Sequence, residues 1–227
     1  IGAKKAYKLA LTFKLSNRET ATDELKEHAK RQEIRILPGF GEKSESQILE
    51  AIEQSKVHKS EKQRTLLYKA EEIMDDLSLY MNQLDCIVQI EACGSYRRRN
   101  PTVGDLDVPI ATTDPQRTME HFLKYPQIGD VVTKGDKRST VVLKNDMQVD
   151  AYVVPPESFG AMVQYFTGNK QHNILLRTYA LEKGKSLSEY GIKDKSTGDL
   201  TEFSNEKDFY SHIGIPYIPP EIRQGTN

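Results

Sequence analysis

The chain has 227 residues, of which 37% are hydrophobic and 29% charged, and its formal net charge is −1. This hydrophobic fraction supplies a folded core and excludes wholesale disorder. No run approaches the roughly 18 uncharged apolar residues of a membrane-spanning helix. The two cysteines, Cys86 and Cys93, cannot form a disulfide framework for a chain of this length, which indicates a reducing compartment.

The charges are unevenly distributed along the chain. Residues 1–60 contain 12 Lys/Arg and 9 Asp/Glu, a balance of +3, whereas residues 61–156 contain 12 and 15, a balance of −3. Residues 157–227 contain 8 and 9, a balance of −1. A basic front and an acidic middle favour a protein that grips phosphates and gathers carboxylates for a metal, although an ordinary solvated surface also shows differences of this size.

The first 58 residues predict short helices separated by glycine turns. Thr22 is the predicted N-cap of a helix over Asp23–Arg31. Leu37–Lys43 has the sequence LPGFGEK, and it leads into a helix that we expect to end near Ile52. Ile1–Lys5 repeats the second half of this turn and the start of its helix. The chain therefore begins inside a motif, and we expect it to be a piece of a longer protein.

The two glycine turns are candidate DNA-binding motifs. The second turn has Gly39 and Gly41 on either side of one apolar residue and Lys43 in the following helix, and the first has Gly2 and Lys4 at the matching positions. Glycine lets the backbone approach a phosphate closely, and a helix N-terminus supplies unpaired N–H groups. Both turns resemble helix-hairpin-helix motifs, which contact the DNA backbone without reading its bases. For a single copy, a plain glycine turn is the alternative.

The remaining chain changes from helical to strand periodicity and back. One helix over 61–84 is predicted by apolar residues at helical spacing, namely Leu66, Leu67, Ala70, Ile73, Met74 and Leu77. The elements expected after it are a buried strand over Ile87–Ala92, a strand over Leu106–Ala111, a hairpin of Thr140–Leu143 and Met147–Val154, a helical segment after Pro156, a small hairpin over Gly191–Phe203 and an irregular tail from Gly214.

Three aspartates are candidate metal ligands. Asp105 and Asp107 lie two residues apart on a predicted strand, so their side chains share one face. Asp150 lies between apolar neighbours on the second strand of the predicted hairpin. Three carboxylates that converge at a sheet edge are costly without a cation, and Mg²⁺ prefers oxygen ligands. Two such ions can activate an attacking oxygen and stabilise the leaving one, whereas an isolated Asp-x-Asp pair is more often a solvated strand edge.

The surroundings of these aspartates resemble a known superfamily. The placement of Gly94-Ser95 about ten residues before Asp105-x-Asp107 resembles the nucleotidyltransferases. The sequence YFTG at Tyr165–Gly168, followed by Asn173 and Arg177, resembles the nucleotide pocket of family X DNA polymerases. The resemblance continues through residues 180–184, Glu189-Tyr190 and Gly214–Arg223, so it covers essentially the whole chain. In its details the chain is more similar to bacterial or archaeal members of the family.

The resemblance implies an α+β fold in three parts. These are helical fingers with helix-hairpin-helix motifs over 1–58, a nucleotidyltransferase palm with a mixed β-sheet over 59–156, and a small α+β thumb over 157–227. It also implies two Mg²⁺ ions held by Asp105 and Asp107, with Mn²⁺ as a substitute to be tested. Asp150 would bind the catalytic ion and activate the primer 3′-hydroxyl.

The resemblance also assigns roles around the nucleotide. Ser95 and Arg98 would hold the β- and γ-phosphates, Tyr165 and Phe166 would pack under the sugar, and Asn173 with Arg177 would contact the minor-groove side of the new base pair. The full set of implied nucleotide-binding residues is Gly94, Ser95, Arg98, Gly104, Arg64, Tyr165, Phe166, Thr167, Gly168, Asn173 and Arg177.

A few residues depart from the family pattern or are set aside. Gln148 stands where vertebrate members carry an arginine, which predicts a weaker hydrogen bond to Asp150. Asn169 replaces a common serine, and Lys170 replaces an acidic residue near the base. His172 is either a DNA contact or a packing residue. The residues interpreted as surface or packing residues are His58, His121, His212, Cys86 and Cys93.

By the same resemblance, the predicted function is that of a template-directed DNA polymerase that adds dNMP to a primer 3′-hydroxyl and fills short gaps during DNA repair. The expected partners are gapped or primer-template DNA and dNTP, with no membrane, and the expected state is a monomer. Its location would be cytoplasmic and nucleoid-associated in a prokaryote and nuclear in a eukaryote. The alternatives left open are a template-independent nucleotidyltransferase and a non-catalytic DNA-binding scaffold. We expect neither the family's lyase domain nor the metallophosphoesterase-like domain of bacterial members in this chain.

Overall fold

A computed structural model of the chain describes residues 3–15, 17, 20–57 and 64–223. The chain divides into two compact units, Ile1–Lys62 and Gln63–Asn227. The first unit contains the helices α1 (Ala3–Thr12), α2 (Ala21–Lys30) and α3 (Glu42–Val57). Of the helices in these described ranges, none is both long and apolar enough to cross a bilayer.

The core of the first unit lies where its three helices meet. Its buried apolar residues are Leu9, Ala29, Ile34, Ile48 and Ile52. Glu45 of α3 is also buried, and its Oε2 accepts hydrogen bonds from the backbone N–H groups of Ile34 and Arg35 at 3.1 and 3.0 Å. A buried carboxylate is costly unless donors satisfy it. These bonds supply such donors and join α3 to the segment that follows α2.

The predicted cap of the second helix is wrong. The helix α2 begins at Ala21, so Thr22 lies inside it and Thr20 occupies the cap position. The Thr20 hydroxyl donates to Glu24 Oε1 at 2.5 Å instead of capping a backbone N–H. Thr20 and Thr22 are two residues apart, and residue type does not decide between them, since either side chain suits a helix start.

The second unit contains the remaining elements, in the chain order β1 (Thr65–Leu66), α4 (Leu67–Met81), β2 (Ile87–Ile90), α5 (Gly94–Arg97), β3 (Thr102–Val103), β4 (Asp105–Thr112), α6 (Pro115–Phe122), β5 (Ile128–Thr133), β6 (Arg138–Leu143), β7 (Gln148–Val154), α7 (Phe159–Thr167), α8 (Lys170–Glu182), β8 (Lys185–Ser188), β9 (Gly191–Asp194), β10 (Leu200–Thr201) and α9 (Glu206–His212). Short 3₁₀ turns cover Pro156–Ser158 and Pro220–Ile222.

The central sheet has the strand order β2-β4-β7-β6-β5. The strands β4 and β7 are parallel, and every other neighbouring pair is antiparallel. This mixed sheet with its helices confirms the α+β fold class. The predicted hairpin is also confirmed, with Asp146 at a positive φ of 66° in the turn between β6 and β7.

Alternation along β4 and β7 gives the sheet two different faces. On one face, Leu106, Val108 and Val149 join α4 and α6 in the main core. On the other face, Ala111 and Tyr152 pack against apolar residues of α7. Because side chains alternate along a strand, Asp105 and Asp107 belong to the α7 face. They are therefore beside the helix that carries the predicted nucleotide-pocket motif.

The structure differs from the sequence-based expectations for this unit at one helix start and at two strands. Thr65–Leu66 is a short strand paired with Thr102–Val103, so the helix starts only at Leu67. We expected a buried strand here, but β2 lies at the edge of the sheet and its Val88 is 54% exposed. The strand β5 was not expected at all, because most of its residues are exposed and lack apolar alternation.

The C-terminal part of this unit has its own apolar cluster. Three strands, in the order β10-β9-β8, stand beside α8 and α9. The main buried residues of this cluster are Leu176, Ala180, Ile192, Phe209 and Tyr210. The predicted hairpin over 191–203 is confirmed as β9 and β10, with β8 as a third strand.

A buried ion pair network connects the two parts of the second unit. Glu206, at the start of α9, accepts from Arg97 Nη1 at its Oε2 and from Arg223 Nη1 at its Oε1, both at 2.7 Å. Arg223 is 0% exposed and Glu206 is 7% exposed. The Glu206 carboxylate thus pairs with two guanidinium groups, and Glu91 Oε1 lies 3.7 Å from Arg97 Nε as a second negative charge.

We expect Glu206→Gln to lower the free energy of unfolding by about 3 kcal/mol, because it removes the carboxylate charge paired with the buried Arg223 and leaves Arg97 with the more distant Glu91 carboxylate at 3.7 Å. Urea denaturation at neutral pH measures this change. Glu182→Gln on the exposed end of α8 is the matched control and should change stability little. Equal stability of the wild type and Glu206→Gln would contradict the network's role.

Candidate active site

The parallel pairing of β4 with β7 brings the predicted metal ligands together. Asp107 is the register partner of Asp150, and Asp105 is the partner of Gln148. Burial, followed by the charges of Asp105 and Asp150, raises the pKa of Asp107 to about 6. The three carboxylates therefore share one side of the sheet and repel one another.

Asp150 is oriented by three hydrogen-bond donors. Its Oδ1 accepts from Arg138 Nη2 at 2.9 Å and from the Thr140 hydroxyl at 2.5 Å, and its Oδ2 accepts from Gln148 Nε2 at 2.7 Å. A carboxylate offers about four lone pairs, so these bonds leave about one position for a metal. Across the part of the chain that the structure describes, no three His, Cys, Asp or Glu side chains are already grouped as a metal site.

It stays a prediction that the neutral Gln148 amide bonds Asp150 more weakly than an arginine would. Gln148 makes its bond at 2.7 Å, and Arg138 from the neighbouring strand β6 supplies a guanidinium as well. Sequence reasoning missed Arg138 because it is twelve residues from Asp150. A two-residue turn at Asn145-Asp146 would pair Val141 with Asp150, but the loop has three residues, 144–146, so Thr140 pairs with Asp150 and Arg138 lies on the same face.

A cleft of about 480 Å³ opens beside two of these carboxylates. The predicted site residues that line it are Gly94, Ser95, Arg98, Asp105, Asp107, Tyr165, Phe166, Gly168, Asn173 and Arg177. The cleft is also lined by Asn169, Lys170 and Ile174. Carboxylates and cationic side chains in one cleft suit a ligand that carries both negative charge and a bound cation.

The Gly-Ser turn is fitted closely to the carboxylates. Gly94 has a positive φ of 61°, and a Cβ on it would lie 3.0 Å from Asp107 Oδ2. The N–H of Cys93 donates to the Asp107 carbonyl at 2.7 Å, which holds the turn against β4. Any residue other than glycine would be strained here and would press on the carboxylate. Ser95 then follows on the wall of the cleft.

Arg98 reaches from this turn to the end of α7. Its Nη1 donates to the carbonyl of Thr167, and its Nε is buried without a hydrogen-bond partner among the described residues. Thr167 itself is 0% exposed and does not line the cleft. Its hydroxyl accepts from Arg97 Nη1 at 3.0 Å, so its contribution to the site is to position arginines.

Arg64 and Gly104 lie together outside the cleft lining. The Arg64 guanidinium donates to the Thr102 hydroxyl at 2.8 Å and to its carbonyl at 2.5 Å. A Cβ on Gly104 would lie 3.2 Å from Arg64 Nη1, so the glycine leaves room for the Arg64 guanidinium.

Aromatic residues of α7 form one wall of the cleft. Arg177 of α8 lies over the Tyr165 ring at 5.1 Å, and Phe166 packs on Tyr152 with ring centroids 4.0 Å apart. Asn169 caps α8 by accepting from the His172 N–H at 2.9 Å. His172 is 7% exposed, which makes it a packing residue and not a surface contact.

The predicted DNA-binding residues lie in the first unit. Gly39 has a positive φ of 88°, and a Cβ on Gly39 or Gly41 would meet no atom within 4 Å. Lys4 and Lys43 are exposed, and α3 begins directly after Gly41. Gly2 lies outside the described residues, as does His58.

Comparisons with known proteins extend these observations. Residues 45–173 match the DNA polymerase beta palm, and residues 162–224 match the DNA polymerase beta thumb. The DNA polymerase/3′-5′ exonuclease PolX of Bacillus subtilis is 36% identical over 226 residues, which are 99% of this chain. The chain belongs to family X of the DNA polymerases.

Two further relatives match parts of the chain. DNA polymerase lambda of Rattus norvegicus is 27% identical over 162 residues, covering 58% of this chain and 28% of that protein. DNA nucleotidylexotransferase of Xenopus laevis is 29% identical over 75 residues, covering 33% and 15%. The chain spans 38% of the length of the Bacillus protein.

The family X residues expected from sequence thus fall into three groups. Ten line one cleft, Asp150 is the register partner of Asp107, and Thr167, Gly104 and Arg64 are outside the cleft lining. The palm match begins within α3 and the thumb match within α7. The boundaries 58/59 and 156/157 therefore stay predictions.

The raised pKa of Asp107 predicts an effect on stability. Its ordinary value is 3.8 and its folded value is about 6, so the folded chain keeps this proton to higher pH than the unfolded chain. This group therefore lowers the free energy of unfolding as pH rises from about 4 to 6, and the deficit remains above pH 6. Without divalent cations, Asp107→Asn should be more stable than the wild type at pH 7.5 by on the order of 2 kcal/mol.

Urea denaturation at pH 4.0 and 7.5 checks this expectation. The difference between variant and wild type should shrink towards pH 4, and Mg²⁺ should stabilise the wild type but not Asp107→Asn. Asp146→Asn, at the exposed hairpin turn, is the matched control. A difference that does not change with pH would show that Asp107 is not strained by its charge.

Proposed function

We propose that the chain is the catalytic core of a DNA polymerase that transfers dNMP from dNTP to a primer 3′-hydroxyl under the direction of a template. The observation that carries the proposal is the cleft in which Asp105 and Asp107 face Arg98 and the Gly94-Ser95 turn. Phosphoryl transfer needs positioning and charge neutralisation more than covalent chemistry. This cleft offers both.

The carboxylates fit a pair of Mg²⁺ ions. Burial and repulsion from the neighbouring carboxylates raise the pKa of Asp107, as expected for metal ligands without their cation. Asp105 and Asp107 would contact both ions, and Asp150 would contact one, because three of its lone pairs are engaged. Divalent ions bound there would activate the attacking oxygen and neutralise the leaving group. Mn²⁺ is a candidate substitute, since it also takes oxygen ligands.

The chain's own residues would orient the substrates. Ser95 and Arg98 would hold the triphosphate, and the ring faces of Tyr165 and Phe166 would support the sugar. Arg177 and Asn173 would meet the minor-groove side of the new pair. Arg138 and Gln148 would keep the Asp150 carboxylate in a fixed orientation towards the primer end.

We infer the remaining assignments from the same resemblance. Residues 1–58 would be the fingers, 59–156 the palm and 157–227 the thumb. Gapped or primer-template DNA would be the partner, short-gap filling during repair the role, and a monomer the working state.

Primer extension with Asp150→Asn tests the proposed reaction. The variant keeps the size of the side chain but removes the charge, so extension on a one-nucleotide gap with Mg²⁺ should fall by at least about 10³-fold. Binding of the same gapped DNA, followed by fluorescence anisotropy, should be unchanged. Asp146→Asn is the control and should extend normally. Extension by Asp150→Asn at a comparable rate would refute the assignment, and DNA binding by a wild type that never extends a primer would favour a scaffold.

A template-independent nucleotidyltransferase is the second candidate, favoured by the partial match to DNA nucleotidylexotransferase. Supplying one dNTP at a time on defined templates separates the two functions within the same gels. A templated enzyme adds only the complementary nucleotide, whereas a template-independent one adds several kinds to a single-stranded primer.

The exposed lysines of the first unit predict salt-dependent DNA binding. If Lys43 contacts a backbone phosphate, Lys43→Gln should weaken binding for all sequences alike and reduce the magnitude of the slope of log K against log [salt] by about 1. Anisotropy titrations between about 50 and 200 mM salt measure this slope. Lys207→Gln on α9 is the control and should leave it unchanged. A slope that Lys43→Gln does not alter would exclude this turn from the DNA contact.

A further inference from the structure

The side chain of Asn173 is held at both ends of its amide. Its Nδ2 donates to the Tyr165 carbonyl at 2.7 Å, and its Oδ1 accepts from Gln164 Nε2 at 3.0 Å. Asn173 also lines the cleft, where it is half-buried. Its amide group is therefore oriented before any nucleotide arrives.

The direction of this amide follows from the chemistry of its partners. A backbone carbonyl can only accept, so the group that faces the Tyr165 oxygen must be the NH₂ of Asn173. The Asn173 oxygen then faces Gln164, which must present its own NH₂. Since an NH₂ group has two hydrogens and the Tyr165 carbonyl takes one, the second N–H of Asn173 is left for the cleft.

Gln164 is well placed to enforce this direction. It lies on α7 and is 3% exposed, so its amide cannot exchange partners with bulk water. Behind it, the Tyr210 hydroxyl lies 2.9 Å from His172 Nε2. Burial raises the pKa of Tyr210 to about 12, and a hydrogen bond from Gln164 opposes this rise. A buried amide surrounded by polar partners keeps one orientation, because any flip would leave a donor or acceptor unsatisfied.

We propose that Gln164 is a positioning residue that holds the Asn173 amide with its N–H donor towards the incoming nucleotide, where it meets the minor-groove acceptor of the base. This inference rests on the proposed function. Purine N3 and pyrimidine O2 occupy equivalent places in the minor groove, so one donor serves all four dNTPs. The contact anchors a correctly placed base without selecting which base it is.

The experiment compares dATP with 3-deaza-dATP, which pairs with thymine but lacks the N3 acceptor. The full 227-residue chain is bound to gapped DNA with templating thymine and a dideoxy-terminated primer, so that nucleotide binds without reacting. In the wild type, dATP should bind about five- to tenfold more tightly than 3-deaza-dATP. In Gln164→Met, which keeps the length of the side chain but donates no hydrogen bond, this ratio should fall to within about twofold of one.

Three further measurements keep the test decisive. Gln164→Leu removes the same donor with a different shape and should give the same loss of the ratio. Met162→Leu changes another buried side chain of α7 but keeps Gln164 and Tyr210, so the wild-type ratio should remain. Asn173→Ala removes the donor itself and should abolish the ratio, while thermal unfolding of each variant shows that it is folded.

The outcomes separate this inference from the proposed function. A wild-type ratio retained in folded Gln164→Met or Gln164→Leu would overturn the role of Gln164 and leave the polymerase assignment intact. A wild type that binds both nucleotides equally would also overturn the inference, because Asn173 then donates nothing to the base. Failure of the wild type to bind complementary dNTP in preference to the other dNTPs would instead count against templated synthesis.

Discussion

The repulsion between three carboxylates on one side of a mixed sheet is the constraint on which the rest of the site depends. The parallel register of β4 and β7 makes Asp107 and Asp150 neighbours, and burial raises the pKa of Asp107 to about 6. A protein gains nothing for its stability from such an arrangement. Its surroundings therefore supply compensation, through Arg138, Thr140 and Gln148 around Asp150 and through a glycine that leaves room beside Asp107.

Further ion pairs and hydrogen bonds lie between the central sheet and the C-terminal apolar cluster. Arg97 and Arg98 are adjacent in sequence but serve different partners. Arg97 meets Glu206 and the Thr167 hydroxyl, and Arg98 meets the Thr167 carbonyl. The backbone of Arg223 also accepts from the Asn169 N–H at 3.3 Å, at the entrance of α8. Charged and polar groups thus connect the Gly94-Ser95 turn to α7 and α8, the helices that would hold the nucleotide.

Most secondary-structure elements predicted from the sequence are present in the structure, and the differences occur at particular residues. Alternation along β4, the Asn145-Asp146 turn and the apolar spacing of α4 are local patterns, and the elements that they predict are present. The predicted bounds of an element are wrong where pairing with a distant segment sets them, as for Thr65–Leu66, which pairs with Thr102–Val103. Exposed strands such as β5 carry little apolar signal and are formed by their neighbours.

The sequence by itself determined the class of chemistry: a D-x-D strand after a Gly-Ser turn, a third aspartate on a hairpin, and a YFTG motif with Asn173 and Arg177 behind it. Only the tertiary structure decided which groups support them. Arg138 reaches Asp150 across a strand pairing, Glu206 reaches Arg97 over more than a hundred residues, and Gln164 orients Asn173 from another helix. The physical reason is that ligand chemistry is local to a side chain, whereas hydrogen-bond partners and burial depend on contacts between segments far apart in the chain.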